Sequence, residues 1–389
     1  MSKKKLIGIV GACAIIVVVV VIIATRPPTY ILGLTVSPSG AGSVSPLGGK
    51  YKSGAQVAVI ASPANGYRFA NWTGDVDMVA DVNVATTTIT MNDNCRVVAN
   101  FEQEIHFPDP NLEAAIREAI DKTTGSMYPS DLKGLTSLSS NGTGISDLSG
   151  LEYATGLTEL SLGGNQIIDI SPLASLTSLT KLSLWDNQIV DISPLTGLTG
   201  LTELSLDRNQ VTNTSSLADL TSLTTLYLGG NQISNISPLA DLTDLVDLAV
   251  CCNQITDVSP LADLTALEIL SIEDNEISDI SQLSNLVSLT ILWLEDNQIS
   301  DISAVANLTN LEYLGLGHNQ ITDITALADL TNLIELWLEN NQISDVSPLV
   351  DNPGLGEEGY VFLENNPLSS PSINTYIPQL WARGVSVFY

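Results

Sequence analysis

A repeat of apolar and polar positions with a period of 22 residues dominates the chain. In one unit, 179–200, the positions that set the pattern are Leu179, Leu182, Leu184, Asn187, Ile189, Ile192, Leu195 and Leu198. An asparagine returns at the same place in nine successive units: Asn165, Asn187, Asn209, Asn231, Asn253, Asn275, Asn297, Asn319 and Asn341. Leu182 and Leu184 lie two residues apart, which predicts a short strand with both side chains inward. Ser183, between them, would then point outward.

The spacing L-x-x-L-x-L-x-x-N-x-I at this period is typical of a leucine-rich repeat. Nine regular units fill 157–354, a degenerate unit occupies 135–156, and a last unit ends at Asn366 after a three-residue insertion. Since each unit buries its aliphatic side chains only against its neighbours, the units stack as coils with parallel strands. The predicted fold class is therefore an α/β leucine-rich-repeat solenoid over 135–366, with a parallel β-sheet on its concave face.

Three further segments flank the repeats. Residues 33–102 contain short alternating runs separated by turn residues, which predicts a small all-β module. Within 103–134, Asp109 can cap a helix, Pro110 suits its first position, and apolar residues follow at helical spacing. This helix is expected to form an N-terminal cap on the first coil. Residues 367–389 are expected to close the other end as a C-terminal cap.

The N-terminus combines a lysine cluster with a long apolar run. The tail 1–5 is expected to stay in the cytoplasm because of its lysines. As a helix, the apolar run 6–24 would span about 28 Å, close to the thickness of a membrane's hydrocarbon core, and 25–32 would be a linker. These features predict a transmembrane helix and a single-pass location in the cell membrane, with the C-terminal part extracellular. Cleavage after Ala24 and lipidation at Cys13 stay open as alternatives.

Composition narrows the possible classes of function. Hydrophobic residues make up 44% of the chain but aromatic residues only 5%, so aliphatic side chains must fill the core in regular rows. The formal net charge of −29 excludes a nucleic-acid partner, which would need a basic face. Four scattered cysteines and two histidines offer no disulfide framework or structural zinc site. No cofactor is expected, and the lack of common catalytic motifs argues against an enzyme.

Two polar positions recur together with the leucines. The repeated asparagine is expected to bond buried backbone groups of its own coil and of the next. A row of aspartates precedes the turns: Asp169, Asp191, Asp257, Asp279, Asp301, Asp323 and Asp345. Local turn capping explains this row, whereas a second interpretation places calcium between neighbouring carboxylates. Asn213 and Asn235 interrupt the row, which disfavours calcium as a partner.

The repeat resembles that of internalin-like bacterial surface proteins. The run Asn187-Gln188-Ile189-Val190-Asp191-Ile192-Ser193-Pro194-Leu195 is similar to the family's repeat, and Asp109-Pro110-Asn111-Leu112 resembles its helical cap. This resemblance implies a cell-surface protein that acts in adhesion through protein binding. The chain departs from the family in ending at Tyr389 without a wall-sorting motif, so attachment to a thick cell wall is not expected.

The module at 33–102 carries a second resemblance. Its segments Gly66-Tyr67-Arg68-Phe69 and Asn71-Trp72-Thr73-Gly74-Asp75 resemble the divergent internalin B-repeat. Trp72 is expected in the core of this module rather than in a binding site, because a lone tryptophan in a small β module usually fills its interior.

Outward strand positions of the solenoid would form one continuous binding surface. Trp293 and Trp337 have no place in the leucine core and are expected to anchor a partner, with their strands about 9–10 Å apart. The more N-terminal coils carry serine and glycine and are expected to be flat. Cys251 and Cys252 are interpreted as chance substitutions. The candidate ligand-binding residues are Tyr227, Glu273, Ile291, Trp293, Glu295, Tyr313, His318, Glu335, Trp337 and Glu339.

These observations predict a membrane-anchored extracellular recognition or adhesion protein that binds a protein or carbohydrate partner through its concave face. One alternative is a structural spacer of the cell envelope. Another is the ligand-sensing ectodomain of a multi-subunit signalling system, since the tail 1–5 is too short for a cytoplasmic output domain.

Overall fold

The computed structural model describes residues 26–357 and 359–389. The chain divides into two compact units, with the boundary between Glu102 and Gln103. The predicted tail and apolar run, and the alternatives at Cys13 and Ala24, lie outside the described residues. The finer limits predicted within the second unit stay predictions.

The predicted membrane location needs correction. Among the described residues the longest helix is Pro110–Ala119, with 10 residues, and at ~1.5 Å per residue it falls well short of a bilayer core. No helix in 26–357 or 359–389 is long and apolar enough to cross a membrane. The prediction of a single-pass membrane protein is therefore wrong by this finding, and the segment 6–24 on which it rested is not among the residues described.

The first unit is a small β module of two sheets. Its strands are β1 Thr29–Ser37, β2 Gly42–Ser45, β3 Gly48–Lys52, β4 Ala55–Pro63, β5 Tyr67–Gly74, β6 Thr86–Met91 and β7 Cys95–Gln103. One sheet has the order β3-β1-β7-β5 and the other β2-β4-β6. β1 begins inside the stretch expected to be a linker, because its backbone pairs with β3 and β7.

The core of this module contains the predicted tryptophan. Trp72 is 2% exposed, and its indole N–H donates to the Val84 carbonyl oxygen at 3.0 Å. The Phe69 ring lies 5.5 Å from it, centroid to centroid. A buried indole with its polar atom satisfied is a structural residue, so the sequence prediction for Trp72 is confirmed.

The second unit contains the repeats, and its sheet has 12 strands in sequential order, all parallel. The strands are β8 Ser137–Ser139, β9 Glu159–Ser161, β10 Lys181–Ser183, β11 Glu203–Ser205, β12 Thr225–Tyr227, β13 Asp247–Ala249, β14 Ile269–Ser271, β15 Ile291–Trp293, β16 Tyr313–Gly315, β17 Glu335–Trp337, β18 Tyr360–Phe362 and β19 Ser386–Phe388. The helices are α1 Pro110–Ala119, α2 Pro129–Leu132, α3 Ser347–Asp351 and α4 Ile377–Ala382. The fold predicted for the repeats is confirmed.

Each strand pairs residue for residue with the next at the 22-residue period. Leu182 of β10 aligns with Leu204 of β11, and both are almost fully buried. On either side of Leu182, Lys181 is exposed and Ser183 half-buried. The period of two within a strand and the period of 22 between strands together place one leucine row inside and two rows outside.

The repeated asparagine fastens one coil to the one before it. The Asn297 amide donates to the carbonyl oxygens of Ile272 at 3.1 Å and Leu294 at 3.2 Å. Its side-chain oxygen accepts from the backbone N–H of Ile277 at 2.9 Å. The predicted structural role is confirmed, with one difference: the bonds between coils run to the preceding coil rather than the next.

Helix α1 adds its apolar side to the core of the repeats. Leu112 and Ile116 are fully buried in the same cluster as the leucine rows. The Asp109 carboxylate accepts from the backbone N–H of Asn111 at 2.9 Å at the helix start, and from that of Ser146 in the first coil at 2.7 Å. The helix is thereby tied to the repeats both by packing and by hydrogen bonds.

Candidate functional site

The outward residues of β8 to β19 form one surface, here called the sheet face. In β15, Ile291 and Trp293 are half-buried while Leu292 between them is fully buried. Beyond each strand the next outward residue, such as Glu295, continues the same surface. The sheet face is thus a regular grid in which side chains from neighbouring coils lie beside one another.

Four aromatic rings follow one another at the C-terminal end of the sheet face. Trp293 and Trp337 meet edge to face, with ring centroids 4.8 Å apart and an interplanar angle of 66°. Trp337 stacks on Phe362 at 5.7 Å, and Phe362 stacks on Phe388 at 5.0 Å. This set, Trp293, Trp337, Phe362 and Phe388, is called the aromatic row.

The two tryptophans therefore contact each other, although their strands lie two coils apart. Gly315 occupies the equivalent position in the strand between them. Because glycine has no side chain, the two indoles can close over it. The expectation of two separate platforms is wrong: they form one continuous apolar surface.

Carboxylates lie beside the aromatic row. A Cβ atom placed on Gly315 would be 1.8 Å from Oε1 of Glu295, so this carboxylate fills the space above the glycine. A Cβ atom on Gly317 would be 2.7 Å from Oε1 of Glu339. The two carboxylates thus lean over the same coil from opposite sides. This arrangement of Glu295, Glu339, Gly315 and Gly317 is called the acidic notch.

The acidic notch is electrostatically unsatisfied. The Oε2 atoms of Glu273, Glu295 and Glu339 are buried from solvent and have no hydrogen-bond partner. Burial raises the pKa of Glu295 to about 7, and the neighbouring charges of Glu273 and Glu339 raise it further. A buried acceptor without a partner is unfavourable, so the notch favours a positive charge or a proton.

The other predicted site residues are distributed over the sheet face. Ile291, Tyr313 and Glu335 are half-buried in the first row of their strands. His318 is exposed; its Nε2 lies 2.9 Å from the side-chain nitrogen of Asn340. Tyr227 lies apart from the tryptophans, in β12. The structure therefore brings together Glu273, Trp293, Glu295, Trp337 and Glu339, and leaves Tyr227 outside that group.

Tyr227 belongs instead to a groove in the N-terminal coils. Its hydroxyl donates to Asp247 Oδ2 at 2.6 Å, and burial raises its pKa to about 12. The groove has a volume of about 510 Å³. Along one side Lys181 and Glu203 form an ion pair at 2.5 Å. The expectation of a flat surface is wrong here, because side chains at either edge rise above the serine row.

The aspartate row acts in local turns. The Asp301 side chain accepts from the backbone N–H of Ser303 at 2.8 Å, and Asp279 does the same for Ser281 at 2.9 Å. These backbone bonds lower the pKa of both aspartates. Within 26–357 and 359–389 no group of three His, Cys, Asp or Glu side chains could hold a metal ion. The geometry supports turn capping, and we find no support for a calcium site.

The cysteine pair has no chemistry prepared for it. Cys251 and Cys252 are free; the first is half-buried and the second exposed. Burial raises the pKa of the Cys251 thiol, with the nearby charge of Glu273 adding to the effect. A raised thiol pKa opposes nucleophilic or metal-binding roles at neutral pH.

Sequence reasoning missed two aromatic residues and both glycines of this site. Phe362 lies 25 residues after Trp337, rather than 22, because of the insertion, so the repeat count did not align it. Phe388 lies in the closing segment, where no repeat is visible. Gly315 and Gly317 stand at outward positions in the sequence, and their period alone could have indicated a gap between neighbouring side chains.

Comparison with known proteins is consistent with both units. The model of the divergent InlB B-repeat domain matches residues 32–105. Leucine-rich-repeat models match 177–233 and, as pairs of repeats, 221–263, 265–307 and 309–351. No curated protein matches the chain.

Solved structures give a closer relation. An internalin (inlF) from Listeria monocytogenes is 35% identical, with a TM-score of 0.51, over 72% of this chain and 95% of that one. An internalin C2 (inlC2) from the same organism is 42% identical, with a TM-score of 0.51, over 56% of this chain and 94% of that one. The plant peptide hormone receptor RGFR1, solved in complex with RGF2, is 26% identical, with a TM-score of 0.50, over 56% of this chain and 37% of that one.

Proposed function

Because the chain belongs to the internalin family of leucine-rich-repeat proteins, we propose that it is an extracellular recognition protein that binds a protein partner through the sheet face. The observation that carries this proposal is the aromatic row, four contacting rings at outward positions of the sheet. Half-buried and exposed aromatic side chains in one patch are typical of interface anchors. Proteins of this type are binding proteins rather than enzymes, and the proposal includes no reaction.

A protein partner is favoured over a carbohydrate by the structural comparison. The plant receptor RGFR1, which shares the fold, is described in complex with RGF2. Parallel solenoid sheets offer an extended surface that many coils can contribute to at once, which suits a protein ligand. We also propose that α1 acts as the N-terminal cap, since Leu112 and Ile116 cover the apolar end of the first coil.

The test is a binding screen followed by a double substitution. The full chain is screened against arrays of proteins and of glycans. For a protein hit, Trp293→Ala with Trp337→Ala should weaken binding at least tenfold, because anchors of this kind contribute about 2 kcal/mol or more. Circular dichroism should show the fold retained, since neither side chain belongs to the leucine core.

The matched control is Trp185→Ala, which removes an exposed tryptophan from the N-terminal half of the same face. It should leave affinity unchanged. Hits confined to glycans would contradict a protein partner. A screen with no hit at all would favour the envelope-spacer alternative.

A further inference from the structure

The acidic notch has a shape that only its neighbours' glycines allow. Glu295 comes from the coil before Gly315 and Gly317, and Glu339 from the coil after them. The positions printed by the backbone leave no room for a Cβ atom on either glycine without displacing a carboxylate. Both acidic side chains therefore point toward one another over the same coil, with the tryptophan pair alongside.

No cation of the protein occupies this region. Outward positions of β14 to β19 carry no lysine or arginine, and His318 is the single basic side chain near the notch. His318 Nδ1 lies 3.7 Å from Asp296 rather than against Glu295. Two buried carboxylate oxygens thus lack a positive partner, at a place where such a partner would be rewarded.

The adjoining indoles select among possible cations. A guanidinium is planar, donates to carboxylates in a fork and stacks on aromatic rings, whereas an ammonium is a compact and strongly hydrated charge. Trp337 offers its indole beside Glu339, and Trp293 beside Glu295. Carboxylates on one side and indoles on the other match the two recognition modes of one guanidinium group.

We propose that the acidic notch receives an arginine side chain of the protein partner, held between Glu295 and Glu339 and stacked against the tryptophan pair. This inference rests on the proposed function, since it places one partner residue at one point of the sheet face. It names what the screen does not: the charge and the side chain that the partner must present.

The inference includes a pH dependence. The titratable groups around Glu295 are Glu273 in the preceding coil, Glu339 two coils later, Asp296 beside it, and His318 in the coil between. A cation binds the ionised form of Glu295, whose raised pKa keeps part of it protonated at neutral pH. Affinity should therefore rise as pH increases through about 7, and level off above it.

The experiment uses a short peptide pair on the full chain. The probes are acetyl-Gly-Leu-Arg-Leu-Gly-amide and the same peptide with citrulline, which keeps the shape but lacks the charge. The protein carries 5-fluorotryptophan at its five tryptophans, and ¹⁹F NMR follows each ring after assignment by Trp→Phe substitution. The arginine peptide should shift the Trp293 and Trp337 signals, with an affinity at least tenfold above that of the citrulline peptide.

Variants then separate the notch from the general negative charge. Glu295→Gln with Glu339→Gln should reduce affinity for the arginine peptide at least tenfold. Asp241→Asn with Asp244→Asn removes the same number of charges at exposed turn positions and should leave affinity unchanged. The increase in affinity from about pH 6 to about pH 8 should vanish in Glu295→Gln and persist in His318→Gln.

Several results would overturn the proposal. They are equal affinity for arginine and citrulline peptides, equal affinity for a lysine peptide, unchanged affinity in the double glutamine variant, or no shift at about 10 mM peptide. A pH dependence that persists in Glu295→Gln would remove Glu295 from the inference. None of these results touches the proposed function, which fails only if the tryptophan variants keep the partner found in the screen.

Discussion

At the scale of single residues, the repeated asparagine and the notch glutamates show opposite uses of a polar side chain. Asn297 makes three amide donations and accepts one backbone N–H, so its buried polar atoms are satisfied. Glu295 keeps one buried oxygen without a partner. A satisfied group stabilises the fold, whereas an unsatisfied one costs free energy that a ligand can recover.

The stability role of the asparagine can be measured directly. Asn297→Ala leaves the Ile277 N–H and three carbonyl oxygens without their partner, so the free energy of unfolding should fall by about 1–3 kcal/mol. Urea denaturation followed by circular dichroism provides the value. Gln298→Ala changes an exposed neighbour and should have little effect. Equal midpoints for the two variants would show that the hydrogen bonds of Asn297 do not hold the coils together.

At the scale of elements, the C-terminal end differs from the regular coils because the three-residue insertion interrupts their turn. Asn352 is fully buried there, and its amide donates to the Leu327 carbonyl at 2.9 Å. The Arg383 guanidinium, from the end of α4, donates to the carbonyl oxygens of Val350 at 2.7 Å and Leu355 at 2.6 Å, and also to that of Asn352. One side chain thus satisfies several carbonyls that the insertion leaves unpaired.

This gives a prediction for the closing segment. Arg383→Lys keeps the charge but loses the planar fork, so it cannot serve all three carbonyls. The C-terminal coil should loosen, with amide hydrogen exchange in 350–363 accelerated by about tenfold or more, while the regular coils stay protected because solenoid contacts are local.

Arg208→Lys is the matched control, since Arg208 is exposed in a regular coil. Its exchange pattern should equal that of the unmodified chain. Uniform acceleration across all coils in Arg383→Lys would contradict the idea that this arginine acts locally.

At the scale of the whole molecule, the dominant property is the net charge of −29. Much of it lies on exposed turns, where ladders of like carboxylates repeat with the coils. Like charges repel each other more strongly in the compact state than in the extended chain, so this charge lowers stability at neutral pH. It also favours the approach of a cationic partner, which accords with the proposed arginine contact.

Screening should reveal the repulsion. Near pH 7.5, about 0.5 M NaCl should raise the free energy of unfolding by roughly 1 kcal/mol, since it shortens the Debye length to roughly 4 Å. Near pH 4.5, close to the isoelectric point of about 4.1, the same salt should have a smaller effect because many carboxylates are protonated. Thermal denaturation at both pH values measures the difference. An identical salt effect at both would mean that charge repulsion is not its source.

The sequence by itself determined the architecture of the repeats. Leu182 and Leu184 give the inward direction, Asn187 closes the turn, and the spacing of 22 residues repeats both in every coil. These are local rules, because strand alternation and stacking between identical neighbours depend only on residues a fixed distance apart. Trp72 could likewise be assigned to the core of the β module from its residue type and its small domain.

Only the tertiary structure decided how the binding surface is assembled. The contact between Trp293 and Trp337 depends on the missing side chain of Gly315, and Phe362 and Phe388 join the row through an insertion and a closing segment that do not follow the period. The inclination of Glu295 over Gly315 depends on side-chain rotamers and on which neighbours are small. Repeat spacing fixes where backbones lie, whereas contacts between outward side chains depend on the size and charge of residues that the repeat leaves free to vary.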